Sequence, residues 1–128
     1  MKYLIDTNAW IAFLEDSPML SNRAALLMES NESVCYASLA SVWEAAIKIG
    51  LGKLKLPYSL DHELPRIFEE SGFEILVFDW RTVTSVQHLE RIHGDPFDRI
   101  QVVQARQHGL DIISRDAIFD RYGLLRIW

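Results

Sequence analysis

Five short apolar runs, KYLID (2–6), SVCYAS (33–38), FEILVF (73–78), LDIIS (110–114) and LLRIW (124–128), alternate with segments whose apolar residues recur at helical spacing. This alternation restricts the fold more than any other feature. Each run is too short for a helix and rich in aliphatic or aromatic residues, so it reads as a buried strand. Strands joined by helical crossovers pair in parallel, and a parallel sheet needs cover on both sides. The expected class is α/β, a central mainly parallel sheet flanked by helices on both faces. No repeat, low-complexity tract or Pro/Gly/Ser linker divides the sequence, and 128 residues suit a single domain, 1–128.

The intervening segments read as helices. TNAWIAFLED (7–16) puts Trp10, Phe13 and Leu14 on one face, and after Pro18 either Ser21 or Asn22 suits the cap of RAALLMES (23–30). SLASVWEAAIKIGLGKL (38–54) carries Leu39, Val42, Trp43, Ala46 and Ile47 on one side and ends at Gly50 or Gly52. SLDHELPRIFEESG (59–72) reads as helix with a break near Pro65 and a stop at Gly72. DWRTVTSVQHLERI (79–92) reads as one helix opened by Asp79. DPFDRIQVVQARQHG (95–109) is closed by Gly109, and RDAIFDRYG (115–123) is short.

Composition narrows the function classes. The single cysteine, Cys35, cannot form an internal disulfide and sits in an apolar stretch, which suits a reducing compartment. Asp6 comes too early for a secretory leader and no apolar run is long enough to span a bilayer, so the expected location is cytoplasmic, with no membrane partner. The net charge of −5, from 18 acidic and 13 basic residues, is a poor prior for nucleic-acid binding. That argument weakens if the acids gather in one pocket, because a bound divalent cation offsets them there.

The acids do fall where a site belongs. Parallel sheets place ligands outside the carboxyl ends of their strands. Asp6 closes KYLI, Asp116 follows DII by three residues, and Asp98 opens the helix feeding that strand. Glu44 lies mid-helix among apolar neighbours, which is costly for a carboxylate unless it is paired or metal-bound. Each has a plainer reading. Asp6 suits a helix cap, Glu44 suits a helix position that points to solvent, and Asp116 and Asp120, four apart, suit solvated helix charges. Asp95 makes an excellent N-cap with Pro96 at N1 and Asp98 at N3, stabilising the helix by roughly 1 kcal/mol. Jointly, four acids from separate segments would repel one another without a cation. Oxygen ligands without Cys/His spacing favour Mg²⁺ or Mn²⁺, and hence phosphodiester chemistry.

These residues resemble the PIN domain family, and among its members the single-domain ribonucleases of VapC type. LIDTNAWI resembles the opening motif, with Asp6, Thr7 and Asn8; SLASVWEAAIKIGLGKLKL resembles the second, with Glu44. HGDPFDRIQVVQARQHGLDIISRDAIFDRYG resembles the third and fourth, with Asp98 and Asp116, and DPFDR marks a subgroup. The resemblance implies a PIN-like fold and an acidic pocket of Asp6, Glu44, Asp98 and Asp116 that is both catalytic and metal-binding. It implies Asn8 and Ser114 as supporting residues and Asp95 as an accessory acid. The implied activity is Mg²⁺- or Mn²⁺-dependent endoribonucleolytic cleavage of single-stranded RNA by the toxin of a toxin–antitoxin pair. The implied partners are the RNA substrate, a cognate antitoxin and a second copy in a homodimer.

Beside the acids, Arg99 and Arg115 suit phosphate contact or salt bridges to their acidic neighbours. Lys48, Lys53 and Lys55 read as a solvated basic run and His93 as a turn residue. Trp10, Phe13, Leu14, Met19 and Leu20 suit a docking groove or, more simply, the core. Two other functions compete. A catalytically silent interaction module keeps the fold as a docking surface, and a signalling receiver domain also clusters acids in an α/β fold. The receiver requires a lysine at the end of a late strand, and neither DIIS nor LLRIW supplies one.

Overall fold

The computed structural model describes residues 1–128. The expected strands form β1 (Lys2–Ile5), β2 (Val34–Ser38), β3 (Phe73–Leu76), β4 (Asp111–Ile113) and β5 (Arg126–Ile127). They make one sheet in the order β3-β2-β1-β4-β5, and every pairing is parallel. The helices are α1 (Thr7–Leu14), α2 (Asn22–Glu29), α3 (Leu39–Gly50), α4 (Leu64–Glu70), α5 (Trp80–Ser85) and α6 (Pro96–His108). Short 3-10 turns lie at Val86–His88 and Ala117–Tyr122.

Side-chain alternation along the strands builds the two cores. In β1, Tyr3 and Ile5 point into a cluster with Trp10, Met28, Leu64 and Phe68, while Leu4 joins Val102, Val103, Ile112 and Phe119 on the other side. Strand order reverses between β1 and β4, so the chain leaves these neighbours in opposite directions and opens a crevice at their carboxyl ends. Ile5 stands beside Ile113 there, and Asp6 and Ser114 follow them. This order differs from the 2-1-3-4-5 arrangement of receiver domains and removes that alternative.

Local chemistry sets the helix limits. Ser21 caps α2 by accepting the Ala24 N–H, and Asp79 caps α5 by accepting that of Thr82. Gly109 ends α6 with a φ of 63°, in the left-handed region that a side chain strains. Gly109→Ala should therefore cost about 1 kcal/mol of stability, read as a lower urea midpoint at unchanged slope.

Three expectations are corrected. Pro65 does not break a helix begun at Ser59; it sits in the first turn of α4, where its missing N–H costs nothing. The helix expected to run to Ile92 ends at Ser85. Its β-branched residues are weak helix formers, and the Thr84 and Ser85 hydroxyls donate back to the Arg81 carbonyl. In α3 the buried side is Ala40, Ser41, Glu44 and Ala45. Small residues let α3 pack against its neighbours, and Leu39, Trp43 and Ile47 stay outside, Trp43 at 56% exposure. Trp10, Phe13, Leu14 and Leu20 follow the simpler of their two readings and pack in or against the core, and only Met19 among the five is exposed. Trp10 shows why: it is fully buried, donates its indole N–H to Ser41 Oγ at 3.0 Å and meets Phe68 edge-on.

Candidate active site

Asp6 ends β1 and caps α1, so both the sheet and the helix fix its position. It is 3% exposed. Its Oδ1 accepts the Thr7 N–H at 2.8 Å and the Gln101 amide at 3.3 Å, and its Oδ2 accepts the Ser114 hydroxyl at 2.8 Å. Burial nevertheless pushes the carboxyl up to about 6, despite those hydrogen bonds, and the nearby Glu44 charge adds to the rise. The cap reading and the site reading of Asp6 are thus compatible: its cap bond uses one oxygen and leaves the group inside the acid cluster.

Glu44 projects from the inner side of α3 and is 9% exposed. Thr7 Oγ1 donates to its Oε1 at 2.7 Å, tying it to the start of α1. Lys48, one turn later, donates to Oε2 at 2.9 Å. The Glu44 hydrogen bond, with the charges of Glu44, Asp95 and Asp6, favours the protonated form of Lys48, so this half-exposed lysine also serves the acids, while Lys53 and Lys55 are exposed as expected.

Asp98 enters from α6. Asp95 accepts the backbone N–H groups of Phe97 and Asp98 on one oxygen, at 2.9 and 3.0 Å, which fixes the first turn. Asp98 is pushed up to about 7 by burial, opposed by its His93 hydrogen bond and reinforced by the charges of Asp6 and Asp95. His93 Nε2 lies 3.0 Å from Asp98 Oδ2, and Nδ1 lies 2.7 Å from the Tyr122 hydroxyl. When Asp98 is ionised it only accepts, so Nε2 then carries the proton towards it and Nδ1 accepts from Tyr122. Arg99 completes this chain by donating to the Tyr122 hydroxyl at 3.1 Å. Its other bonds go to the carbonyls of Leu89, Glu90 and His93. Arg99, expected at phosphate or in a salt bridge to its acidic neighbour, bonds instead to the segment before α6 and to Tyr122, and His93 is no idle turn residue.

Asp116 is exposed and caps the 3-10 turn by accepting the Ile118 N–H. Its own N–H donates to Ser114 Oγ at 3.0 Å, the hydroxyl that donates to Asp6. Ser114 thereby links the ends of β1 and β4. Asn8 and Arg115 are exposed at the same end and line a shared cavity. Asp120 pairs with Arg126 at 2.9 Å, which holds it well below the usual carboxylate range and outside the cluster. Sequence reasoning missed Gln101, which is fully buried and touches Asp6. The signal was its spacing: three residues after Asp98, it shares that face of α6. Lys48, four after Glu44, carried the same kind of signal.

The donor set suits a hard divalent cation, because every available group is an oxygen. Burial disfavours the ionised forms of Asp6 and Asp98, a cost that a positive ion offsets. Gln101 Oε1 is buried beside them without a hydrogen-bond partner, as expected of an acceptor that serves a bound water or ion. As the side chains stand, no three acids gather around one point. Lys48 takes one Glu44 oxygen and His93 one Asp98 oxygen. The residues therefore fit the chemistry of the ion, with two oxygens meanwhile shared out within the chain.

No curated protein sequence matches the chain. Solved structures do. VapBC2 from Rickettsia felis, bound to a DNA fragment from its promoter, is 16% identical, with 99% of this chain and 98% of that one covered at a TM-score of 0.69. FitAcB from Neisseria gonorrhoeae is 23% identical, covering 100% and 97%, at 0.61. A toxin–antitoxin complex from Klebsiella pneumoniae is 19% identical, covering 89% and 86%, at 0.55. At such identities these likenesses establish the fold. The family follows from a sequence model that spans residues 3–125: the chain belongs to the PIN domain family.

Proposed function

We propose that the chain is a metal-dependent endoribonuclease of VapC type, within the DPFDR subgroup, acting on single-stranded RNA as the toxin of a toxin–antitoxin pair. The observation that carries this reading is the placing of Asp6 and Asp98, with Glu44 close to Asp6, at one end of the sheet, where burial disfavours the ionised forms of both aspartates, a cost that a divalent cation relieves. PIN domains are generally nucleases, which supports hydrolysis. Asp6, Glu44, Asp98 and Asp116 would hold Mg²⁺ or Mn²⁺, and the ion supplies Lewis-acid charge to a phosphodiester and a more acidic water.

The chain's own residues do the remaining work. Thr7 and Ser114 orient Glu44 and Asp6, and His93, held by Tyr122, orients Asp98. Arg115, exposed on the rim, is our candidate for contact with the RNA strand. Trp43 meets Phe97 edge-on at 5.2 Å between α3 and the start of α6. This half-open aromatic pair supports a single-stranded substrate, whose unpaired bases stack on such rings.

The partner reading rests on α3. Leu39, Trp43 and Ile47 follow one another at helical spacing on its exposed side, next to a groove of about 680 Å³ that includes Ile49, Leu54 and Leu60. An antitoxin helix has the apolar character to cover such a face. The structural relative described as a toxin–antitoxin complex motivates that choice. A homodimer is the assembly we propose for the uncomplexed chain.

Purified chain incubated with single-stranded RNA should cut internally in Mn²⁺ or Mg²⁺, fall silent in EDTA, and leave single-stranded DNA of the same sequence intact. RNA cleavage unaffected by EDTA, or none in any divalent ion, would overturn the reading.

A further inference from the structure

Beside the acid cluster lies a cavity of about 190 Å³ that includes none of the four acids. Asn8, Ile11, Ala12, Glu15, Met19, Arg115 and Trp128 form most of its wall. It is smaller than the roughly 300–1,000 Å³ of a drug-sized site, so it suits one flat ring system rather than a whole nucleotide. Its apolar lining comes from Ile11, Ala12, the exposed Met19 and the half-buried Trp128. Its polar groups are unspent. The Asn8 amide and the Glu15 carboxylate make no hydrogen bond or salt bridge within the chain, and Arg115 touches only the Met19 sulfur, at 4.0 Å.

The local structure holds these groups at the rim. Glu15 caps the carboxyl end of α1, and Asp16 follows in the left-handed region at a φ of 49°, turning the chain sharply towards Ser17. Asn8 lies two residues beyond Asp6 on α1. Arg115 stands between Ser114, which donates to Asp6, and Asp116. A strand whose phosphate lies at the acids therefore passes within reach of the cavity.

We propose that this cavity binds one unpaired guanine base of the RNA strand next to the scissile phosphate. The inference rests on the nuclease reading above and adds a base preference to it. The chemistry selects guanine. A carboxylate has two oxygens for two parallel N–H donors, and among the four bases only guanine offers a ring N–H beside an amino group on one edge. The adjoining O6 and N7 acceptors match the two-pronged guanidinium of Arg115. Adenine and cytosine turn a ring acceptor towards Glu15, and uracil offers a single N–H. Trp128 and Met19 supply the apolar contact for the base.

The test reads the cavity without the cation and without cleavage. The ¹⁵N-labelled full chain in EDTA is titrated with guanosine, adenosine, cytidine, uridine and N-acetylarginine amide, following the Trp128 indole N–H and the Asn8 and Arg115 amides. Guanosine should shift these signals at concentrations at least about tenfold below the other nucleosides, the discrimination that one charge-assisted hydrogen-bond pair confers. Glu15→Gln should remove that preference while leaving the rest of the spectrum in place. Equal response to all four nucleosides, no response, or a preference that survives Glu15→Gln would overturn the proposal. Response to the arginine amide alone would assign the cavity to a protein partner and also overturn it.

Mapped cuts on a mixed-sequence RNA form the second arm. They should fall at a fixed distance from a guanine, and that register should disappear in Glu15→Gln. Guanosine binding without such a register overturns the assignment to the substrate strand and leaves a site for free guanine nucleotides. A chain that cuts no RNA fails the nuclease reading, while the nucleoside titration still decides the cavity.

Discussion

Asp98→Asn protein should fold normally and lose its metal-dependent RNA cleavage by roughly a thousandfold or more. The magnitude follows from losing several kcal/mol of charge stabilisation around a phosphodiester at about 1.4 kcal/mol per tenfold. The fold should survive because the substitution leaves the Asp95 cap intact and removes a carboxyl that its surroundings already push to about 7. An asparagine still offers one oxygen to His93, so the segment before α6 keeps its anchor. Cleavage of a fluorogenic RNA, read beside the thermal midpoint, separates the two effects. Full activity in a folded Asp98→Asn protein would sink the nuclease assignment.

The second large effect concerns stability in the absence of metal. Asp6 and Asp98 titrate higher in the folded chain than the usual 3.8, at about 6 and about 7. Folding thus favours their neutral forms. The stability this confers is complete below pH 4 and is lost as pH rises through 6 for Asp6 and through 7 for Asp98. In EDTA the chain should be more stable at pH 5.5 than at pH 8, by about 1 kcal/mol from Asp6 and by a further contribution of the same sign from Asp98. The window avoids the pH at which Asp79, Glu90 and Asp120, all held low by hydrogen bonds, become protonated. Saturating Mn²⁺ should reverse the trend, stabilising the ionised site at pH 8 by about 3 kcal/mol at a hundredfold excess over its Kd. Urea midpoints at the two pH values, with and without Mn²⁺, measure this. Flat profiles and no response to the ion would mean that the acids do not form a cation site.

Much of this was legible from residue order. Each of the five apolar runs contains a strand, because alternation with helical segments leaves few other arrangements. The caps at Asp79 and Asp95 and the stop at Gly109 follow from short-range chemistry that a sequence displays directly. The orientation of α3 was not legible. Apolar residues occur on nearly every side of ASVWEAAIKI, so periodicity points to the larger side chains, whereas packing selects the smaller ones. Partnerships across the fold were equally hidden. The spacing of Gln101 from Asp98 puts it on that side of α6 but does not name Asp6 as its partner, and nothing local in QVVQ reveals that the Gln104 amide donates to the carbonyls of Leu76 and Val77. Arg99 shows the same limit: it and Arg115 both adjoin an acid in sequence, and only the fold shows that the Arg99 guanidinium goes to the segment before α6 and to Tyr122.

The outward side of α3 has a consequence for handling the protein. A stripe containing Leu39, Trp43 and Ile47, continued by Ile49 and Leu51, makes a lone copy a poor colloid. The net charge of −5 counters this only at low ionic strength, since salt shortens the reach of the repulsion between copies. Dilute, low-salt buffers should keep the chain dispersed, and concentrated salt should drive copies together through that stripe.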